Sequence, residues 1–220
     1  MEIYYCDAGI ISIDSRSVMT TRGFSGRRPS DEIAHRLPPG QYRTEEFPVL
    51  AKGPTPRVDP AIWRFTIHDG SRPLASWSWA EFQALPQTIW RGDIHCVTKW
   101  SKLDTTWSGV TIDDLFQRAG ITPPSAYLLA ESYDDYDTNL PVADLLGGKA
   151  MIATRFAGKP LEAEHGGPAR LLVPHLYFWK SAKWIKGLRF TAHDEAGFWE
   201  LRGYHMYGDP WREQRYTNDP

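Results

Sequence analysis

The stretch at residues 62–70 reads IWRFTIHDG. Apolar Trp63, Phe65 and Ile67 alternate with the polar Arg64 and a threonine, and an aspartate and a glycine follow. Because successive side chains of a strand point to opposite faces, this alternation predicts a β-strand with one buried face, ended by a turn. The sequence therefore predicts that the chain builds its core around sheet.

Five further segments carry the apolar runs that are typical of strands. They are Gln87–Val97, Tyr127–Ala130, Lys149–Phe156, Ala169–Val173 and Ile185–Ala192. The segments lack the regular alternation of strands and helices that marks a doubly wound sheet. We therefore predict an α+β fold that is strand-rich and contains a mixed sheet.

Two short helices are predicted from their capping residues. Ser78 with Glu81 is typical of a helix start, because the serine side chain accepts a bond from the first turn. Thr111 with Asp114 begins the clearest helix, and Gly120 ends it.

The composition excludes several classes of function. Twenty-five lysines and arginines against 27 acids give a net charge of −2, so we expect no nucleic-acid partner. Pro174 interrupts the longest apolar run, at residues 171–179, so we expect no membrane span. The sequence begins without the pattern of a signal peptide, and its two cysteines, Cys6 and Cys96, lie far apart. We therefore expect a cytoplasmic location.

The chain length favours one domain over residues 1–220. Residues 1–21 have the character of an extension. Residues 22–60 are rich in proline and glycine, which predicts an extended arm that packs on the domain. The apolar residues 47–50 (FPVL) are the expected anchor of this arm.

Cys96 lies where a predicted strand runs into a polar turn, in the sequence DIHCVTKWS at residues 93–101. Lys99 or His95 would stabilise a thiolate there, as a nucleophile or a metal ligand requires. The alternative is a buried and inert structural cysteine.

A second segment combines paired glycines with cations. Residues 164–174 read EHGGPARLLVP, and residues 180–185 read KSAKWI. The glycines permit close backbone approach, and Arg170, Lys180 and Lys183 supply the charge that a phosphate group requires. The alternative is a tight turn that leads into a strand with ordinary surface cations.

A third segment, ESYDDYDTN at residues 131–139, follows an apolar strand. Its acids do not have the spacing of a calcium-binding loop, so we expect a polar loop at the end of the strand.

Together, these segments resemble the molybdopterin-binding domain of the sulfite oxidase family, which includes plant nitrate reductase and the periplasmic methionine-sulfoxide reductase catalytic subunit. The resemblance runs from about Tyr42 to Trp211. CVTKWS at residues 96–101 is similar to the family motif C-V-x-x-W-S. GGPARLLVP at residues 166–174 is similar to G-x-P-x-R-L-x-V-P, and residues 180–183 to the K-x-x-K motif that follows it.

The resemblance implies a sulfite oxidase-type fold and a molybdenum-molybdopterin cofactor, with Cys96 as the catalytic cysteine and the thiolate ligand of the metal. Arg43 comes from a segment that resembles the family's arm over the pterin. The cofactor-binding residues that the resemblance implies are Arg43, Ser132, His165, Arg170, Ser181 and Lys183.

The same resemblance gives roles to these side chains. Arg170, Ser181 and Lys183 would contact the cofactor's phosphate and neighbouring groups. His165 and Ser132 would contact the pterin, and both offer hydrogen-bonding atoms. Lys52, on the arm and outside the motifs, is expected to have no part in cofactor binding.

The activity that the resemblance implies is two-electron oxygen-atom transfer by a molybdenum oxidoreductase on a small oxyanion or a sulfoxide-type substrate. The chain length leaves no room for a haem module, so we expect electrons to pass to or from a separate redox partner protein or a small electron carrier. Arg91 and Arg155 are either substrate contacts or surface cations.

Two other functions remain as alternatives. One is a non-catalytic relative of the same fold that binds a ligand or partner through an aromatic surface around Trp77, Trp79, Trp100 and Trp107. The other is a cysteine-dependent hydrolase or transferase. The second is disfavoured because neighbouring residues of a strand face opposite sides, so that His95 would not reach Cys96 as its base.

Overall fold

The computed structural model describes residues 31–220 of the chain. The expected extension at residues 1–21 and the first part of the arm lie outside the described residues. The eleven strands of the described part are β1 (Tyr42–Arg43), β2 (Arg64–Asp69), β3 (Arg72–Ser78), β4 (Thr88–His95), β5 (Trp100–Thr111), β6 (Tyr127–Ser132), β7 (Asp137–Pro141), β8 (Met151–Phe156), β9 (Lys159–Pro160), β10 (Arg170–Leu172) and β11 (Ile185–Thr191). The three α-helices are α1 (Asp31–Ala34), α2 (Trp79–Gln83) and α3 (Ile112–Ala119).

The strands form two mixed sheets. The first sheet has the order β1-β5-β8-β10, with β4 also paired to β5 and β9 to β8. The second has the order β3-β2-β11-β6-β7. The pairs β1–β5 and β2–β11 are parallel and the others are antiparallel. The strand-rich mixed architecture is the one that the sequence predicts.

The first sheet is buried on both faces. On β8, Ile152 packs into the main core between the two sheets, whereas Met151 and Ala153 pack into a second cluster on the other face. On β10, Leu171 and Leu172 divide in the same way. A strand with two buried faces has a continuous apolar run, which is why both segments are visible in the sequence.

The central strand β5 was not predicted. Its twelve residues read WSKLDTTWSGVT, so small polar residues such as Ser101 and Thr105 occupy positions that are buried. Gly109 brings β5 close to β8, since a Cβ atom there would lie 2.1 Å from the carbonyl oxygen of Ile152. Strand β7 was also missed, because its residues belong to the segment predicted to be a polar loop.

Both predicted helix starts are confirmed. Ser78 and Glu81 form a reciprocal capping box at α2. The hydroxyl of Thr111 accepts a bond from the Asp114 amide at α3, and Gly120 ends that helix in the left-handed conformation.

Residues 31–60 contain α1 and the two-residue β1 but are otherwise irregular. Phe47 anchors this segment in the second core cluster, whereas Val49 and Leu50 are largely exposed. Within residues 31–220, no helix is long and apolar enough to cross a bilayer.

Candidate functional site

Residues 96–99, here called the Cys96 loop, connect β4 to β5. The Cys96 amide donates to the Trp100 carbonyl at 2.9 Å, and the Lys99 amide donates to the Cys96 carbonyl at 3.0 Å. Lys99 adopts a positive φ of 76°, which closes the turn. The Thr98 hydroxyl donates to the Cys96 sulfur at 3.1 Å.

The thiol of Cys96 is only 7% exposed, and burial raises its pKa. The Thr98 hydrogen bond and the charge of Arg215 act in the opposite direction. Neither Lys99 nor His95, the groups expected from the sequence, is among the causes of the shift. The His95 ring lies on the other face, where its Nδ1 pairs with the Ser101 hydroxyl at 2.8 Å. This geometry does not fit a cysteine-dependent hydrolase in which His95 is the base.

Arg170 joins the two basic motifs. Its guanidinium donates to the carbonyl of His165 at 2.9 Å and to the carbonyl of Ser181 at 2.6 Å. It also lies over the Phe178 ring, 4.1 Å from the centroid. Burial lowers the pKa of Arg170 to about 9. The paired glycines act as the sequence predicts, because a Cβ atom on Gly167 would lie 2.2 Å from a neighbouring carbonyl oxygen.

Lys183 and Ser181 flank this guanidinium. The Lys183 ammonium donates to the Glu164 carbonyl at 2.7 Å, and burial, together with the charge of Arg170, lowers its pKa to about 8. The Ser181 hydroxyl accepts a bond from the Val173 amide at 2.9 Å. Two cations close to each other, of which Arg170 is fully buried, are suited to an anionic ligand.

Lys180, which the sequence grouped with these cations, has a different role. Its ammonium is completely buried and pairs with Glu200 at 2.6 Å, and it also donates to Asn139. It is therefore a structural ion pair rather than a phosphate ligand. Glu200 accepts a further bond from the indole of Trp179 at 2.8 Å.

His165 is buried against the arm. Its ring stacks on Phe47 with centroids 4.0 Å apart and an angle of 4° between the planes. Burial and the nearby Arg170 lower its pKa, which favours the neutral ring. The Nδ1 atom is buried and has no hydrogen-bond partner among the described residues.

These groups meet in one cavity of about 330 Å³. Five of the seven residues expected at the site line it, namely Cys96, His165, Arg170, Ser181 and Lys183. The other two do not. Arg43 is on the surface, where it pairs with Glu45 at 2.6 Å, and Ser132 is fully buried with no partner for its hydroxyl among the described residues.

The cavity is also lined by residues that were not predicted from the sequence. Lys52 lines it although this lysine lies outside the motifs, with the ammonium 4.9 Å from the centre of the Phe198 ring. Asp134 and Tyr136 come from the segment that was predicted to be a polar loop. The remaining additions are mostly aromatic and include Trp179, Trp184, Trp199 and Tyr204.

The remaining candidate residues have other positions than expected. Arg91 and Arg155 are exposed and do not line the cavity. Trp100 and Trp107 are buried in the second core cluster, and Trp100 also lines the cavity, so these two side chains are not part of an exposed aromatic surface.

A family model described as the oxidoreductase molybdopterin binding domain matches residues 52–199. The chain is 42% identical over 197 residues to the uncharacterized oxidoreductase YuiH of Bacillus subtilis, an alignment that covers 89% of this chain and 99% of that protein. It is 29% identical over 151 residues to the putative protein-methionine-sulfoxide reductase subunit YedZ1 of Azospira oryzae, with 69% and 57% covered.

Two further similarities are more distant. The mitochondrial sulfite oxidase of Rattus norvegicus is 25% identical over 108 residues, which are 44% of this chain and 20% of that protein. The solved structure of the sulfane dehydrogenase SoxCD from Paracoccus pantotrophus matches with a TM-score of 0.55 at 21% identity, covering 64% of this chain and 41% of that chain. The chain thus spans nearly all of YuiH but less than two thirds of these other relatives, and the SoxCD match supports the fold.

Proposed function

Because the chain belongs to the oxidoreductase molybdopterin-binding domain family, we propose that the cavity beside Cys96 holds the molybdenum-molybdopterin cofactor of this enzyme and that Cys96 is the protein's ligand to the metal. The observation that carries this proposal is the convergence of one thiol and two cations, Arg170 and Lys183, on a single cavity. The cofactor supplies the two-electron redox chemistry when it is bound.

The residues of the cavity fit such a group. Molybdenum in this cofactor takes soft sulfur ligands, and Cys96 is the only sulfur-bearing residue among the lining residues. The Nδ1 atom of His165 is buried and has no hydrogen-bond partner within residues 31–220, so a polar group of the ligand that reached it would satisfy it. A volume of about 330 Å³ lies within the range of small-molecule sites, roughly 300–1,000 Å³.

The thiol must lose its proton in order to bind a metal. Because burial raises the pKa of Cys96, the group is protonated at neutral pH when the metal is absent. Ligation would therefore release one proton. The Thr98 hydroxyl, which donates to the sulfur, would tune the electron donation of this ligand.

The cations of the cavity are placed to hold the cofactor's phosphate. Two N–H groups of Arg170 are occupied by backbone carbonyls, so the guanidinium is fixed in orientation before any ligand arrives. Lys183 adds a second positive charge, and Ser181 and His165 add polar groups to the lining of the cavity. Ser132 and Arg43 stay predictions from the resemblance, because neither lines the cavity.

We assign the reaction to two-electron oxygen-atom transfer on a small oxyanion or a sulfoxide-type substrate, in keeping with the named relatives. Sulfite and water would give sulfate, two protons and two electrons. In the opposite direction, a sulfoxide with two electrons and two protons would give a sulfide and water. Either direction needs a separate redox partner protein or a small electron carrier that takes or supplies the electron pair.

A Cys96→Ser variant tests the metal ligand. We expect it to remain folded, to lose activity and to have one sulfur fewer around molybdenum by X-ray absorption, because a hydroxyl is a harder and less acidic ligand than a thiol. Cys6→Ser is the control and should match the wild type. Full turnover with an unchanged sulfur coordination number in Cys96→Ser would contradict the assignment.

Assays of the purified holoenzyme test the substrate class. Sulfite with a dye that accepts electrons tests oxidation, and a sulfoxide or an N-oxide with a reduced dye tests reduction. Turnover in one of these assays that disappears in Cys96→Ser supports the proposal. Turnover in none of them would exclude the proposed substrates.

A further inference from the structure

The Cys96 loop is held from outside by the arm. The side-chain amide of Gln41 donates to the carbonyl of Cys96 at 3.0 Å, and its oxygen accepts from the Ser101 hydroxyl at 3.3 Å. Gln41 is buried, and these two bonds connect Cys96, the first residue of the loop, with Ser101 on β5 just after the loop. The arm therefore fixes the carbonyl of the cysteine itself.

The C-terminal segment holds the same loop from another side. Arg215 donates to the carbonyl of Val97 at 2.6 Å and to the carbonyl of Pro39, on the arm, at 3.3 Å. Its guanidinium lies over the Tyr177 ring, 4.9 Å from the centroid. The side chain is almost completely buried, so its position is set by packing as well as by these bonds.

Gln41 and Arg215 share two further properties. Both lie outside residues 52–199, the part of the chain that the family model matches. Neither lines the cavity, and each contacts the site through the backbone of the Cys96 loop. Gln41 and Arg215 thus hold the Cys96 loop in place and are not part of the binding surface.

The two residues differ in charge. Gln41 is neutral, whereas Arg215 places a largely buried positive charge at hydrogen-bond distance from the carbonyl of Val97, the residue that follows Cys96. The carboxylate of Glu213 lies 3.8 Å away and is half exposed, so it offsets this charge only in part. A fixed cation near a metal-bound thiolate favours the addition of an electron to the metal.

We propose that Gln41 and Arg215 are positioning residues which hold the Cys96 loop in the geometry of a molybdenum ligand, and that the charge of Arg215 raises the reduction potential of the metal centre. This inference rests on the proposed role of Cys96. The inference assigns two effects to these residues, on metal retention and on the reduction potential, and the two can be measured independently. Positioning determines how well the metal is retained, and charge determines the potential.

Three variants and one control separate these effects. Gln41→Leu removes the hydrogen bonds without changing the charge, Arg215→Met removes both bonds and charge, and Arg215→Lys keeps the charge but loses the planar fork. Arg212→Met removes an exposed cation from the same C-terminal segment and is the matched control. Each is purified as the holoenzyme and analysed for molybdenum per polypeptide, and its midpoint potential is measured by mediated redox titration.

We expect Gln41→Leu and Arg215→Met to retain about tenfold less molybdenum than Arg212→Met, within the range of roughly 10–100-fold that is typical when a partner of a metal ligand is lost. The potential should become more negative in Arg215→Met and stay near the wild-type value in Gln41→Leu and in Arg215→Lys. A purely structural role would change metal retention but not this pattern of potentials.

Two results would overturn the inference. Retention in Gln41→Leu and Arg215→Met equal to that in Arg212→Met would show that the loop needs no support. A wild-type potential in Arg215→Met would show that the charge has no effect. A shift in Arg215→Lys as large as that in Arg215→Met would show the same. If Arg215→Met does not fold, the other two variants still test the inference. Molybdenum content in Gln41→Leu tests positioning, and a negative shift of the potential in Arg215→Lys would contradict the charge effect. Cys96→Ser, measured in parallel, shows separately whether the assignment of the metal ligand itself has failed.

Discussion

The thiol of Cys96 and the cationic side chains of Arg170 and Lys183 line one cavity. Lys180 has the same charge and lies within the same motif, yet it faces the opposite way and pairs with Glu200. The direction of a side chain in an irregular turn depends on the packing of distant segments, and a motif does not contain that information.

The two cations of the cavity give a prediction at this scale. A charge-assisted contact from either side chain to the cofactor's phosphate would be worth about 1.5–3 kcal/mol, so Arg170→Ala and Lys183→Ala should each retain about tenfold to a hundredfold less cofactor. Arg170→Lys should restore only part of the loss, because an ammonium lacks the planar fork. Pterin content per polypeptide is the measurement.

Lys52 is not a suitable control for this experiment, because it lines the cavity. Lys159 is exposed on β9 and does not line the cavity, so Lys159→Ala is the better choice and should retain cofactor normally. Equal pterin content in the Arg170, Lys183 and Lys159 variants would show that the cofactor's phosphate binds elsewhere.

At the scale of elements, the strands and helices that were predicted are those whose residues follow a regular pattern. Strands β8 and β10 were predicted because both of their faces are apolar, and α3 because its cap and its terminal glycine are unambiguous. Strand β5 was missed, because the buried polar residues along it are bonded to groups in other segments. Ser101, for example, pairs with His95 and Gln41, and such partners are not visible from local sequence.

The arm gives a prediction at the scale of elements. Phe47 is the arm's aromatic anchor: it is partly buried, packs against the second core cluster and stacks on His165. Phe47→Ala should lower the free energy of unfolding by about 1–1.5 kcal/mol, below the roughly 1.5–3 kcal/mol of a completely buried large apolar side chain, and should also lower cofactor content. Urea denaturation measures the first effect.

Val49 is the matched control, because it lies on the same arm but is largely exposed. Val49→Ala should change the free energy of unfolding by less than about 0.5 kcal/mol. If Phe47→Ala were as stable as Val49→Ala, the arm would not be anchored through its phenylalanine.

For the whole molecule, the predicted fold class, the cofactor and the type of enzyme are confirmed by the family match and by its relatives. The single domain over residues 1–220 and the cytoplasmic location stay predictions. The redox partner also stays a proposal.

The stability of the cofactor-free protein should depend on pH through Lys183. Its pKa in the folded protein is lowered to about 8, below the ordinary value of 10.5, because of burial and the charge of Arg170. Between these two values, the unfolded chain binds more protons than the folded protein, so the free energy of unfolding should increase as pH rises from about 8 towards 10.5.

Thermal unfolding of the cofactor-free protein across this pH range is the measurement. Lys183→Met removes the titrating group and should reduce the increase relative to the wild type, whereas Lys159→Met should leave it unchanged. An identical pH profile in Lys183→Met would show that another group causes the increase. Inorganic phosphate at neutral pH should raise the melting temperature of the wild type more than that of Lys183→Met.

The position of β11 in the second sheet has a consequence for the order in which the protein folds. It pairs in parallel with β2 and antiparallel with β6, so residues 66 and 187 are direct neighbours. Contacts between such distant parts of a chain close slowly, and this sheet has no centre until residues 185–191 have been synthesised. Arg215 reaches the Cys96 loop later still. During translation, Cys96 therefore emerges from the ribosome well before Arg215, although after Gln41, so we expect the cofactor to be inserted only when synthesis of the C-terminal segment is complete.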